Sequence, residues 1–341
     1  MCPPNKPIEH INLYKDTTRF AFPPNPIYID PPLYRTSCAP QVIDYTSKTG
    51  CKPYVAKNYT PYGELRIRPN GVIAPPLNPN EAAESEALAG FLYSLYLDRD
   101  NAIKPRLVAH SQKVYFISRL IKDSTNLSRA LYMATPPPWQ NFCASAVVSI
   151  FLKENDLKLE NFICDKDKVY RVDFAETFWL TYPIGLYLFN PYFLSAICYK
   201  KEFSDYLVKN KIPLTLNKCS IPDDYICPPL IQLIATNFKN CLAEVVITIA
   251  KILKTSQKEQ AEIFLLFKLK SQQLNKEFHE GWLERKQEEL SCQRKKLQAM
   301  IENSLRTTPD FIVSLRENLA GHGEGNKALD WLLTAQLAQT P

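Results

Sequence analysis

Glycine is scarce in this chain, 9 residues in 341, while proline is abundant at 27. Connections built on glycine turns are therefore a poor description. Irregular, proline-stiffened connections fit better, above all in the first eighty residues where the prolines crowd. No Gly-x-Gly-x-x-Gly run is present, which excludes the orthodox glycine-rich loop for phosphates. Histidine is sparse too, at 4, and none of the 10 cysteines stands in a Cys-x-x-Cys pair. That removes zinc ligation by spacing. A chain of this size is no small disulfide-stapled module, so the thiols are expected to be buried and free in a reducing cytosol. A strong charge of one sign is also missing. The net charge of +6 is mild, and no basic run alternates with aromatics, so nucleic acid is excluded as a partner. The N-terminus lacks a basic segment followed by an apolar core, so no classical signal peptide is read and the expected location is cytoplasmic. There is no internal repeat.

What is present describes an ordinary globular protein, 45% hydrophobic and 22% charged. The length allows one large two-lobed domain with an appendage, or two medium domains. Residues 1–40 read as an extended N-terminal segment, rich in Pro, Tyr and Asn. Strands are predicted at Val42–Thr46, Tyr54–Lys57, Glu64–Arg68 and Val72–Ala74, and Pro69–Asn70–Gly71 predicts a hairpin between the last two. A helix over 80–97 starts from Asn80 as its cap and carries Leu88, Phe91, Leu92 and Leu95 on one face. Two antiparallel strands follow, Arg106–His110 and Val114–Ser118. After Pro136–Pro137–Pro138 a helix from Trp139 to Lys153 is predicted, and then a polar stretch.

That stretch is Asp156–Leu157–Lys158–Leu159–Glu160–Asn161, and Val172–Asp173–Phe174 follows it. Between them Phe162–Cys164 and Val169–Val172 read as two strands joined by Asp165–Lys168. A hairpin of this length returns Asp173 beside Asn161. Transfer of a phosphoryl group needs an acid that accepts or steers a hydroxyl proton, oxygen ligands for Mg²⁺ and a cation near the phosphate. Asp156 supplies the acid, Lys158 the cation, and Asn161 with Asp173 the hard oxygens. An isolated Asp-Phe or Asp-x-x-x-x-Asn means little. The joint pattern, correctly spaced and preceded by an apolar helix, is much rarer by chance.

The pattern resembles the catalytic and metal-binding loops of the protein-kinase-like superfamily. Lys158 is placed as in Ser/Thr protein kinases. The Asp-x-x-x-x-Asn core is also similar to phosphoinositide-type lipid kinases and HipA-like kinases, and the compact style resembles effector kinases of intracellular bacterial pathogens. The resemblance implies an α+β, bilobal protein-kinase-like fold with a mainly helical C-terminal region. It divides the chain into an N-lobe over 41–122, a C-lobe over 123–240 and a helical region over 241–341. It implies ATP and Mg²⁺ as cofactors and secretion into a host cell as a further location. The match departs from the family's pattern where His-Arg is replaced by Glu154–Asn155 and the glycine after Phe174 by Ala175, and no Ala-Pro-Glu follows.

The remaining roles follow from the same resemblance. The ATP lysine is Lys57, in Tyr54–Val55–Ala56–Lys57, with Arg68 as its rival. Its partner glutamate is Glu84, with Glu81 on the same buried face and Glu86 pointing away. The inter-lobe hinge is Phe116–Leu120, with Ser118 at its centre, where backbone groups would meet adenine. The acceptor is a protein or a phosphoinositide. A lipid or inositol kinase, transfer of AMP and a pseudokinase scaffold remain open as alternatives. The uncharged stretch 177–199 would give peripheral membrane contact, although Pro183, Asn190 and Pro191 favour buried helices. In the C-terminal region Ser256-x-x-Glu259 opens a long helix, amphipathic near 257–305, which is a candidate surface for a protein partner. Leu283, Leu290 and Leu297 recur every seven residues, but polar Lys286 and Gln293 argue against a coiled coil. Thr308–Pro309 starts one more helix.

Overall fold

The computed structural model describes residues 9–10, 41–45, 54–58, 66–67, 73–74, 79–97, 101–103, 106–110, 113–119, 121, 123–154, 159–174, 177, 232–234, 236–274, 278, 280–307 and 309–337. The fold is mixed α+β. The chain divides into two compact units: Met1–Leu95 with Ile103–Ile121 and Lys258–Arg285, and Tyr96–Ala102 with Lys122–Gln257 and Lys286–Pro341.

In the first unit, strands β1 (Glu9–His10), β2 (Gln41–Tyr45), β3 (Tyr54–Asn58), β6 (Arg106–His110) and β7 (Lys113–Arg119) form an antiparallel sheet. Its order is β1-β6-β7-β3-β2. The β6–β7 pair has His110 opposite Lys113. Strands β4 (Arg66–Ile67) and β5 (Ile73–Ala74) pair antiparallel on their own, which is the hairpin that Asn70–Gly71 predicts. Of the segment 1–40 only β1 lies within the described residues, paired with β6.

Helix α1 (Pro79–Tyr96) begins one residue before the expected cap. Proline suits a first helical position because its missing N–H has no intrahelical partner there. The expected single apolar face is not what the helix has. Every residue from Glu84 to Tyr93 is buried, and Leu95 is only half-buried. Glu86, expected to point away from the core, is as buried as Glu84, at 0% and 1% exposure. Ser85, Ala87, Ala89 and Gly90 explain this, since small residues let neighbours close around the side that carries no large apolar group. Phe91 meets Phe267 edge-on, with ring centroids 6.4 Å apart, and Phe267 meets Trp282 at 6.3 Å.

The second unit holds a three-stranded sheet of β8 (Thr125–Asn126), β9 (Phe162–Cys164) and β10 (Val169–Arg171), in the order β10-β9-β8. Around it lie the one-turn helix α2 (Leu127–Ala130), α3 (Phe142–Phe151) and α4 (Phe238–Lys254). Helix α3 is apolar nearly all round and packs on both β10 and α4. It starts three residues later than Trp139 because Asn141 takes a left-handed backbone, φ 67°, in front of it. Phe142 packs at a tilt against Phe162, with centroids 5.1 Å apart, and Tyr96 meets Phe151 edge-on at 5.4 Å.

Further helices are α5 (Gln257–Leu274), α6 (Glu280–Thr307), α7 (Pro309–Asn318) and α8 (Gly323–Leu337). The single long helix expected near 257–305 is therefore two, α5 and α6. Phe278 between them is not helical and meets Trp282 edge-on, with centroids 6.1 Å apart. Helix α5 starts directly after Ser256, and α7 starts at Pro309. Leu283, Leu290 and Leu297 are all buried while Lys286 and Gln293 are half-buried, so α6 carries a leucine stripe rather than a two-position seam. Arg294 reaches the carbonyls of Leu253 (2.6 Å) and Thr255 at the end of α4, where a cation suits the helix dipole. Helix α8 packs on α4 at Gly325, where a Cβ would stand 3.1 Å from Leu319 and 3.2 Å from Ala243.

Of the described cysteines, Cys143, Cys164 and Cys241 are buried free thiols, as expected, whereas Cys292 is exposed. Among the described residues no helix is long and apolar enough to cross a membrane. The uncharged stretch 177–199 lies outside them apart from Thr177.

Candidate functional site

Helix α3 aims the chain into the polar stretch, and its end is fixed by backbone geometry. Lys153 takes a left-handed conformation, φ 55°. Its N–H donates to Ile150 O (3.1 Å) and that of Glu154 to Ser149 O (2.9 Å). This is the helix-ending motif that usually places glycine at the left-handed position. With lysine there the turn carries about 1 kcal/mol of strain.

The segment re-enters as a 3-10 turn, Leu159–Asn161, and then the β9–β10 hairpin. Its register pairs Cys164 with Val169, Ile163 with Tyr170 and Phe162 with Arg171. The connection closes on Asp165, whose Oδ1 accepts from the N–H groups of Asp167 (2.8 Å) and Lys168 (2.9 Å). The Tyr170 hydroxyl donates to Asp165 Oδ2 at 3.2 Å. Burial pushes the Asp165 carboxyl up. The two backbone N–H groups, the Tyr170 hydroxyl and the Lys168 charge outweigh that and hold it below its ordinary value.

Asn161 and Asp173 stand at the open end of the hairpin. Twelve residues apart in sequence, they sit on neighbouring segments, because the N–H of Val172 donates to Asn161 O at 2.9 Å. The Arg171 side chain beside them in sequence is wholly buried. Its Nη1 donates to Asn161 O at 3.0 Å and to Val172 O. Its Nη2 stands 3.5 Å from the carboxylate of Glu154, which is also wholly buried. The Thr177 hydroxyl donates to the same Glu154 oxygen at 2.6 Å. The rings of Phe162 and Phe174 flank the guanidinium at 5.5 and 5.9 Å from Cζ. Asp173 itself has a left-handed backbone, φ 62°. Aspartate tolerates that conformation better than most residues, yet it still carries strain.

The other end of α3 is held from far away in sequence. Glu244 of α4 accepts from the N–H groups of Asn141 (2.5 Å), Cys143 (3.1 Å) and Ala144 (3.3 Å). It thus fills the anion position at the helix N-terminus. Burial raises its carboxyl to about 7, against the pull of those three donors. The Asn141 amide donates to Asn101 O (2.9 Å) and Val169 O (2.7 Å), which ties the hairpin to the start of α3. A cleft of about 480 Å³ lies here, lined by Asn101, Asn141, Lys168, Glu244, Thr248 and Lys251 among others. It sits by the hairpin's turn, and neither Asn161 nor Asp173 lines it.

The remaining residues singled out in the sequence fall as follows. Asp156 and Lys158 lie outside the described residues. Lys57 stands in β3 opposite Phe116, and Ser118 stands in β7 opposite Val55. The expected hinge Phe116–Leu120 is strand as far as Arg119. Arg106, the first residue of β6, pairs with Ile117, so among the described residues Ser118 and Arg119 have ladder partners only on the β3 side. Glu84 is buried within α1. Among the described residues no three His, Cys, Asp or Glu side chains cluster as a metal site.

No protein-family model matches the chain, and no curated protein matches it. Among solved structures it is similar to the crystal structure of a Helicobacter pylori proinflammatory kinase, CtkA. The identity is 11% and the TM-score 0.31, over 67% of this chain and 96% of that one.

Sequence reasoning missed the groups that support the site: Glu154, Arg171, Thr177 and, at the far end, Asn141 and Glu244. One signal was available. Arg171 is a charged residue within the strand-like run Val169–Val172, and Glu154 stands where the resemblance calls for histidine. A charge inside a core strand requires a buried partner.

Proposed function

We propose that this chain is an ATP- and Mg²⁺-dependent phosphotransferase of bilobal, kinase-like fold, acting on Ser or Thr of a protein. The observation that carries the reading is the hairpin closure, in which Asn161 and Asp173 are on adjacent segments and the Asn161 carbonyl accepts from a buried guanidinium. These two side chains offer the hard oxygens that Mg²⁺ prefers. The ion, shared with the nucleotide's phosphates, would supply charge neutralisation at the transferred group. Asp156 would take or steer the proton of the acceptor hydroxyl, and Lys158 would face the γ-phosphate. Lys57 would hold the α- and β-phosphates with Glu84 as its partner, and the Ser118 backbone would meet adenine. Lys158 is what favours a protein hydroxyl over a lipid acceptor, since lipid kinases share only Asp156, Asn161 and Asp173.

A thermal-shift titration with Mg-ATP tests the reading. Wild type should be stabilised by ligand linkage and Asp173→Ala should lose that shift. Asp156→Ala should keep the shift but lose transfer of the γ-phosphate label to protein. Transfer by Asp156→Ala at the wild-type rate would remove the assignment of the base. Label appearing in lipid vesicles rather than protein would change the acceptor class.

A further inference from the structure

We propose that Arg171 is a positioning residue, whose guanidinium, anchored by Glu154, sets the spacing between Asn161 and Asp173. The proposal rests on the phosphotransfer reading above. One side chain joins its own segment, at the carbonyl of Val172, to two others: the carboxylate of Glu154 at 3.5 Å and the carbonyl of Asn161 at 3.0 Å. Three of the candidate reactive residues stand at or within two residues of those contacts in sequence. Asp156 follows Glu154 by two residues, Asn161 supplies its own carbonyl, and Asp173 follows Val172 directly.

A planar fork serves these three contacts in fixed directions. Arginine presents five N–H donors in fixed directions, whereas lysine is a point charge on a flexible stem. Rotation of the fork is opposed by Phe162 and Phe174, which flank it. Glu154 is in turn oriented by the Thr177 hydroxyl at 2.6 Å, so the segment beyond Phe174 is tied into the same knot. The left-handed backbone of Asp173, φ 62°, makes this support matter. A strained residue keeps its direction only while its neighbours over-determine it, and Val172 is held on both its N–H and its carbonyl. Arg171 is not a catalytic residue in this reading. It acts through the two oxygen ligands, as groups behind metal-binding side chains generally do.

The test is a Mg²⁺ titration of the full chain with a saturating fluorescent ATP analogue, alongside nucleotide binding in EDTA. Arg171→Lys should raise the Mg²⁺ midpoint by about tenfold, and Glu154→Gln by a smaller factor. Binding in EDTA should change by less than about twofold in both, because the nucleotide's own contacts are elsewhere. Excess Mg²⁺ should restore the wild-type signal in Glu154→Gln. If Arg171→Lys does not fold, Glu154→Gln carries the test, since a glutamine oxygen can still accept from Thr177. Folded variants with lowered melting temperature and an unchanged Mg²⁺ midpoint would make Arg171 purely structural and overturn the proposal. A wild-type protein that binds no nucleotide with or without Mg²⁺ would overturn the phosphotransfer reading, and the positioning role with it.

Discussion

Two carboxylates, Glu244 half-buried and Glu154 buried, bracket helix α3 and are compensated in opposite ways. Glu244, at its start, meets three backbone N–H groups. Glu154, just past its end, meets the Arg171 guanidinium and the Thr177 hydroxyl. The first arrangement uses partial charges that exist in every helix and needs only one well-placed acid. The second uses a full opposite charge and creates an interdependent pair. A dipole-compensated acid can take a proton and stay in place. An ion-paired acid cannot lose its partner without leaving an uncompensated charge in the core.

The comparison breaks most visibly at Arg171. Arg171→Met should destabilise the second unit by about 3–5 kcal/mol in denaturant titration, because Glu154 is left buried and unpaired. Adding Glu154→Gln to it should cost less than the sum of the two single changes, by about 1 kcal/mol or more, if the two act as a pair. Next comes pH. Glu244 has a folded value of about 7 against 4.5 for the free group, so the folded chain holds its proton longer than the unfolded chain does. The stability from that proton is full below about pH 4.5 and is lost as pH rises through 7, a fall of about 3 kcal/mol. Melting curves from pH 5 to 8 should show the decline, and Glu244→Gln should flatten it. The smallest effect belongs to Thr177→Val, which removes one hydrogen bond to Glu154 and should destabilise by about 1 kcal/mol.

Local pattern made much of this fold legible. The strands at 106–110 and 162–164 are found where alternation and turn residues place them, and the hairpins at 66–74 and 162–171 follow from short polar links between apolar runs. The order of strands, helix, two strands, helix and hairpin was readable for the same reason. What escaped depends on partners distant in the chain. Glu86 looks like a solvated helix residue until the helix is enclosed on every side. The start of α3 is set by an acid 103 residues away, which no local signal announces. The break between α5 and α6 was hidden because charged residues continue across it. At the site, Asn161 and Asp173 were legible from spacing, since a hairpin returns its ends to each other. Arg171 was not singled out, because one charged residue in a strand carries no information about which acid will meet it.

The cysteines give the molecule an internal gauge of its own opening. Cys143, on the first turn of α3, shares a hydrogen bond with the Cys241 thiol of α4, and that bond, together with burial and the nearby Glu244, raises it well above an ordinary thiol. Such a group is inert to alkylating reagents while the two helices stay together. Cys292 on α6 stands exposed. Iodoacetamide followed by peptide mapping should therefore mark Cys292 at once and Cys143 only as often as α3 and α4 part, so a single reagent times the separation of the helix that leads into the proposed reaction loop.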